Sequence, residues 1–133
     1  MPSEIEELKR LQDIQLYAER VAELVEDVTV EQFKEDWHIH QLVERQLQNI
    51  TEAVIVIGEQ RLSEIAPSAV FHEIRGVGNR LRHEYGKIDH ELLFEHATTD
   101  VPQLVSYVEK EIERQTNLIK EREAERDDWD LGR

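Results

Sequence analysis

The sequence predicts an all-α protein, an antiparallel four-helix bundle with short accessory helices, and three observations carry that prediction. Breakers are few, with 5 Gly and 3 Pro in 133 residues, and the prolines fall where helical periodicity starts or stops. Apolar residues recur every three or four positions through four long stretches, the spacing of one buried stripe per helix. The connections between those stretches are short, which favours antiparallel neighbours.

Taken in order, Ser3 and Glu6 form a capping box that opens the first helix, whose stripe is Leu11, Ile14, Ala18, Val21 and Val25. Thr29 and Gln32 repeat the pattern before a short segment, Val30 to Glu35, that holds Phe33. A second long helix reads from Trp37 to Ile65, with Ile39, Leu42, Val43, Leu47, Ile50, Val54 and Ile57 inward. Its AVIVI run (53–57) looks strand-like alone but continues the helical period on both sides. Pro67 ends that helix or sits in the first turn of the next. The third helix reads from Ser68 to Tyr85, with Phe71, Ile74, Leu81 and Tyr85 on one face and Gly86 as its C-terminal cap. A short segment from Asp89 to His96 follows. Asp100 and Gln103 then read as a cap pair for the last helix, with Pro102 tolerated in its first turn and Val101, Leu104, Val105, Val108, Ile112 and Ile119 as its stripe. From Lys120 onward 10 of 14 residues are charged, so residues 1–120 read as one domain and 121–133 as a tail that frays into solvent.

Composition removes several classes of function. The absence of cysteine excludes disulfide scaffolds, thiolate zinc sites and cysteine nucleophiles, and fits a reducing compartment. No apolar run approaches the ~20 residues of a membrane span, and the charged start is not a signal peptide. A cytoplasmic protein without membrane contact is expected. The net charge of −14, from 16 basic and 30 acidic residues, excludes a whole-surface footprint for duplex DNA. The charge is uneven, however. Residues 75–87 carry Arg75, Arg80, Arg82 and Lys87 against Glu84, a local net of +3 in a chain whose remainder is −17. Such an island can hold a polyanion locally, since exposed charges are screened beyond about 8 Å.

Within the island His83 is the side chain best suited to proton transfer at neutral pH, and Asn79 and Arg80 lie one turn back on the same side. Cations at a helix C-terminus also have a structural account, because the macrodipole favours each by about 0.3–1 kcal/mol. Against that account stand Gly76 and Gly78, each costing about 1 kcal/mol relative to Ala inside a helix, a cost usually tolerated where another backbone or a ligand comes close. No metal centre is expected. The chain has one Glu-x-x-His, Glu35 to His38, where a di-iron bundle needs two. His72-Glu73 opens like a zincin helix, but Gly76 stands where the second histidine belongs, and His38 and His40 do not share a face. No cofactor is expected either: a phosphate loop is missing, and GVG (76–78) follows no strand. The four serines (Ser3, Ser63, Ser68, Ser106) have no nucleophile-elbow context.

The segment GVGNRLRHEYGKID (76–89) resembles the signature of the HEPN superfamily, and within it the short HepT-type toxins encoded beside a minimal nucleotidyltransferase. Their motif, R-N-x-x-x-H-x-Y followed by an Ile-Asp step, is met by Asn79, His83, Tyr85, Ile88 and Asp89. Phe33 and the stretch ERQLQNITEA (44–53) resemble the family upstream, so the likeness in architecture spans residues 1–120. The resemblance implies a HEPN-like bundle and metal-independent cleavage of RNA, possible substrates including tRNA, in a cleft shared by a homodimer. It implies catalytic roles for His83 and Asn79, RNA contacts from Arg82 and Lys87, and Tyr85 as the residue a nucleotidyltransferase antitoxin adenylylates to silence the toxin. The motif arginine does not carry over: its window holds Gly76, Val77 and Gly78, with Gly78 directly before Asn79. Its role falls to Arg75, Arg80 or Arg82, or else the chain is a non-catalytic relative that binds the nucleotidyltransferase.

Overall fold

A computed structural model describes residues 3–84 and 88–132. Tyr85, Gly86 and Lys87 lie outside the described residues, and with them the Gly86 cap, the modification site and one of the RNA contacts expected from sequence. The described residues are helical throughout their ordered elements, with no strand among them. Four long helices, α1 (Glu4–Val25), α3 (Trp37–Ile57), α5 (Ser68–His83) and α7 (Val101–Leu131), are joined through the short helices α2 (Val30–Glu35), α4 (Glu59–Ile65) and α6 (His90–Glu95). α1 packs on both α3 and α7, and α3 carries α5 on its other side.

Local chemistry sets most of the boundaries. Both capping boxes form, Ser3 with Glu6 and Thr29 with Gln32, each pairing two otherwise orphan backbone donors. Asp36 caps α3 by accepting from the amides of His38 and Ile39. The core is one cluster, including Leu11, Ile14 and Val21 of α1, Phe33 of α2, Leu47 and Ile50 of α3, and Leu104 and Val108 of α7. Phe33 stacks on Phe94 at 5.1 Å between centroids, which locks α2 to α6.

Three expectations need correction. The helix read from Trp37 to Ile65 is two helices, because Gly58 takes φ +92° and turns the chain between α3 and α4; only glycine enters that conformation without strain. Leu42, read as inward, is half exposed at 50%, since the core-facing arc of α3 runs through Val43, Leu47 and Ile50 instead. Asp100 makes no side-chain cap. The chain passes from α6 into α7 through one π turn (His96–Asp100) without leaving helical geometry, so no free N-terminus exists for it to cap. The charged segment from residue 121 continues α7 as exposed helix to Leu131.

A polar knot joins α1, α4 and α7. Arg61 donates to Glu7 at 2.9 Å and to Glu111 at 3.0 Å, while Gln115 bridges the same two carboxylates. Hydrogen bonds from Arg114, then Gln115 and the Arg61 charge, hold Glu111 down at about 2 against the opposing effect of burial. A carboxylate lowered on folding stabilises the fold fully above its unfolded value near 4.5, and that stability is lost as pH falls towards 2. Urea unfolding at pH 3 is therefore expected to show about 1–3 kcal/mol less stability than at pH 6 through this group. In Glu111→Gln the pH 3 to pH 6 difference is expected to shrink by that amount.

Candidate active site

α5 divides cleanly by face. Phe71, Ile74, Val77, Gly78 and Leu81 are buried, while His72, Arg75, Asn79, Arg82 and His83 are exposed on the opposite side. The four cationic or titratable residues and Asn79 recur at helical spacing, so they make one stripe along the helix. Arg82 Nη2 donates to Asn79 Oδ1 at 2.8 Å, which fixes both at the C-terminal end of the stripe. The structure thus brings Arg75, Asn79, Arg82 and His83 onto one face. Arg80 leans away from that face toward the protein body.

The six histidines sort by their surroundings. His38 lies tilted against Trp37 at 3.8 Å between centroids, His40 stacks on His90 at 4.0 Å, and His72 meets Glu59 at 3.2 Å. Burial, then the neighbouring His90, lowers the His40 pKa, so that ring favours the neutral form. His96 is buried within a hydrogen-bonded group. Among the described residues His83 alone of the six has no ring, ionic or hydrogen-bond partner. An exposed, unpartnered imidazole at the end of a basic stripe is available for a ligand.

Sequence reasoning missed His96. The ring is 2% exposed. Its Nε2 lies 3.0 Å from Arg80 Nη2 and its Nδ1 lies 2.5 Å from Asp100 Oδ2. The spacing of His96 and Asp100, four apart on helical backbone, was a usable signal for that half of the group. Nothing in the sequence ties either of them to Arg80. Donor atoms of Glu73, His96 and Asp100 all fall within 4.8 Å of one another, which would suit a metal ion by distance. The Arg80 guanidinium, however, already occupies the Nε2 side of the ring as a cation. A shallow cavity of about 240 Å3 opens beside the group, lined by Pro67, Glu73, Asp100 and Gln103 among others.

The two helix glycines have different reasons. A Cβ on Gly78 would stand 3.0 Å from both Cβ and Oγ1 of Thr51, so this residue lets α5 settle on α3. Thr51 cannot turn away cheaply, since it is buried and its hydroxyl donates to Gln48 O at 2.8 Å. Position 78 therefore faces the core, and an arginine there has no room. A Cβ on Gly76 would meet nothing within 4 Å. Among the described residues nothing requires glycine at 76, which lies beside the exposed stripe.

A family model described as Ribonuclease HepT-like matches residues 14–111, a span that includes α5 and His96. No curated protein matches the chain.

Proposed function

The chain belongs to the HepT-like ribonuclease family, and from that premise we propose that it is a metal-independent endoribonuclease toxin. It acts in the cytoplasm at a cleft between two copies of itself and is silenced by a nucleotidyltransferase antitoxin. The observation that carries this reading is His83, a histidine without a partner among the described residues, at the end of a basic stripe on an acidic chain.

The chemistry follows from what RNA offers. A base takes the proton from a 2′-OH, and the oxygen attacks the adjacent phosphorus. A cation stabilises the extra negative charge that develops there, and an acid gives a proton to the departing 5′-oxygen. The products are a 2′,3′-cyclic phosphate and a 5′-hydroxyl. Two copies of α5 face to face would supply two His83 side chains, one as base and one as acid. Arg75, Arg82 and Asn79 would hold the phosphate backbone, and Lys87, the last basic residue of the island in sequence, would add a further contact. Gly76 supports the close approach of a second surface, because no described residue lies within 4 Å of where its Cβ would stand. Adenylylation of Tyr85, two residues after His83 in sequence, would add negative charge to the island and repel RNA.

Gly76→Ala tests the cleft. If the glycine serves only helix α5, alanine raises stability by up to about 1 kcal/mol and changes nothing else. The proposal expects that gain in the isolated chain together with a weaker dimer by sedimentation and slower cleavage. Wild-type protein shown by mass to be unmodified at Tyr85 is expected to cut total RNA or tRNA with EDTA present.

A second reading has its own observation. Gly78 stands where the family's arginine belongs and packs on Thr51, which favours a non-catalytic relative that retains the dimer and the nucleotidyltransferase. No cleavage by the unmodified protein would decide for it.

A further inference from the structure

Arg80 is held from beneath. A guanidinium only donates hydrogen bonds, so His96 Nε2 accepts from Arg80 Nη2 and the ring proton sits on Nδ1, donated to the Asp100 carboxylate. The order is carboxylate, neutral imidazole, guanidinium. The ring is buried on the π turn where that turn packs against α5, so its surroundings restrict its rotation and the guanidinium is held in turn. π turns inside helices are frequent at functional sites, and this one carries both anchoring residues.

Arg80 Nε is buried and has no hydrogen-bond partner among the described residues. Leaving a buried donor unpaired is costly, and in a native protein such a group asks for an explanation. An anion that displaces the covering side chains to reach the guanidinium would supply one. Arg80 is also one turn before His83 on the same helix, although its guanidinium turns toward His96 rather than along the exposed face.

We infer that His96 and Asp100 are positioning residues that hold Arg80 as the phosphate-binding cation of the site, the role left empty by Gly78. The inference rests on the ribonuclease reading for its meaning in catalysis, but the anion site itself stands apart from it. The alternative is that the group only fastens α5 to the π turn.

Two readouts on four proteins separate these. The proteins are wild type, His96→Leu, which removes the acceptor, His96→Gln, which keeps an amide acceptor near Nε2, and Asp100→Ala, which leaves the ring without its carboxylate and disturbs packing less. The first readout is the Arg80 Nε–H signal in a proton–nitrogen spectrum, assigned with Arg80→Lys, during titration with inorganic phosphate and then with a 2′-deoxy oligonucleotide that cannot be cleaved. The signal is expected to move in wild type and His96→Gln and to stay still in His96→Leu and Asp100→Ala. The second is the split between kcat and KM on RNA. In His96→Leu kcat is expected to fall about 10–100-fold with KM within about threefold, as for a displaced catalytic group, and His96→Gln is expected to recover most of it. A signal that moves equally in wild type and His96→Leu, or fails to move in wild type, overturns the inference. If wild type cuts no RNA while its Arg80 signal moves only with the acceptor present, the anion site stands and the ribonuclease reading falls.

Discussion

His83→Ala is expected to slow RNA cleavage by about 10³-fold, within the range that a positioned acid or base contributes, while leaving the fold unchanged. The two halves of that result come from one fact, the exposed ring without partners among the described residues. Removing it breaks no contact among the described residues, so stability by urea unfolding should stay within about 0.5 kcal/mol of wild type, as for other surface changes. His96→Leu should differ in kind, because that ring is buried and hydrogen-bonded at both nitrogens. A large loss of stability in His83→Ala would mean that the histidine holds the helix end, and the catalytic assignment would fail.

Gly78→Arg, which restores the residue type of the family motif, is expected to destabilise rather than activate. The first added atom already meets Thr51 at 3.0 Å. Overfilling a packed contact costs about 1–3 kcal/mol by itself, and an arginine must also bury or bend a charged chain against α3. A loss of about 3 kcal/mol or more by urea unfolding is the expected outcome, with no gain in cleavage. Gly78→Ala should fall between that and wild type. Higher activity with undiminished stability in Gly78→Arg would show that the motif position can still face the site.

The sequence exposed those parts of the fold that short-range chemistry decides. Ser3 with Glu6 and Thr29 with Gln32 bond to each other across three residues, so their patterns are visible in any window that contains them. Gly58 was hidden because the apolar period runs through Ile57 and on to Leu62 unbroken, although the backbone turns between them. Asp100 with Gln103 has the spacing of a cap, yet the chain arrives at Val101 already helical, and the carboxylate serves His96 instead. Leu42 was misplaced because, of the adjacent apolar pair Leu42 and Val43, only Val43 falls on the buried arc of α3.

The site was legible to the extent that it lies along one helix. Asn79, Arg82 and His83 are near neighbours in sequence and share a face of α5. The group around Arg80 was not legible, since its contact with His96 spans 16 residues and depends on the chain returning to set the π turn beside α5. The reason for Gly78 likewise lay in Thr51, on another helix.

The most direct test of metal-independent cleavage by a 2′-OH attack is end-group analysis of RNA cut by the wild-type protein in excess EDTA. The account predicts 5′-hydroxyl and 2′,3′-cyclic phosphate ends, and no cut at a position where the 2′-OH is replaced by hydrogen. Cleavage that stops with EDTA, or that leaves 5′-phosphate ends, would contradict it.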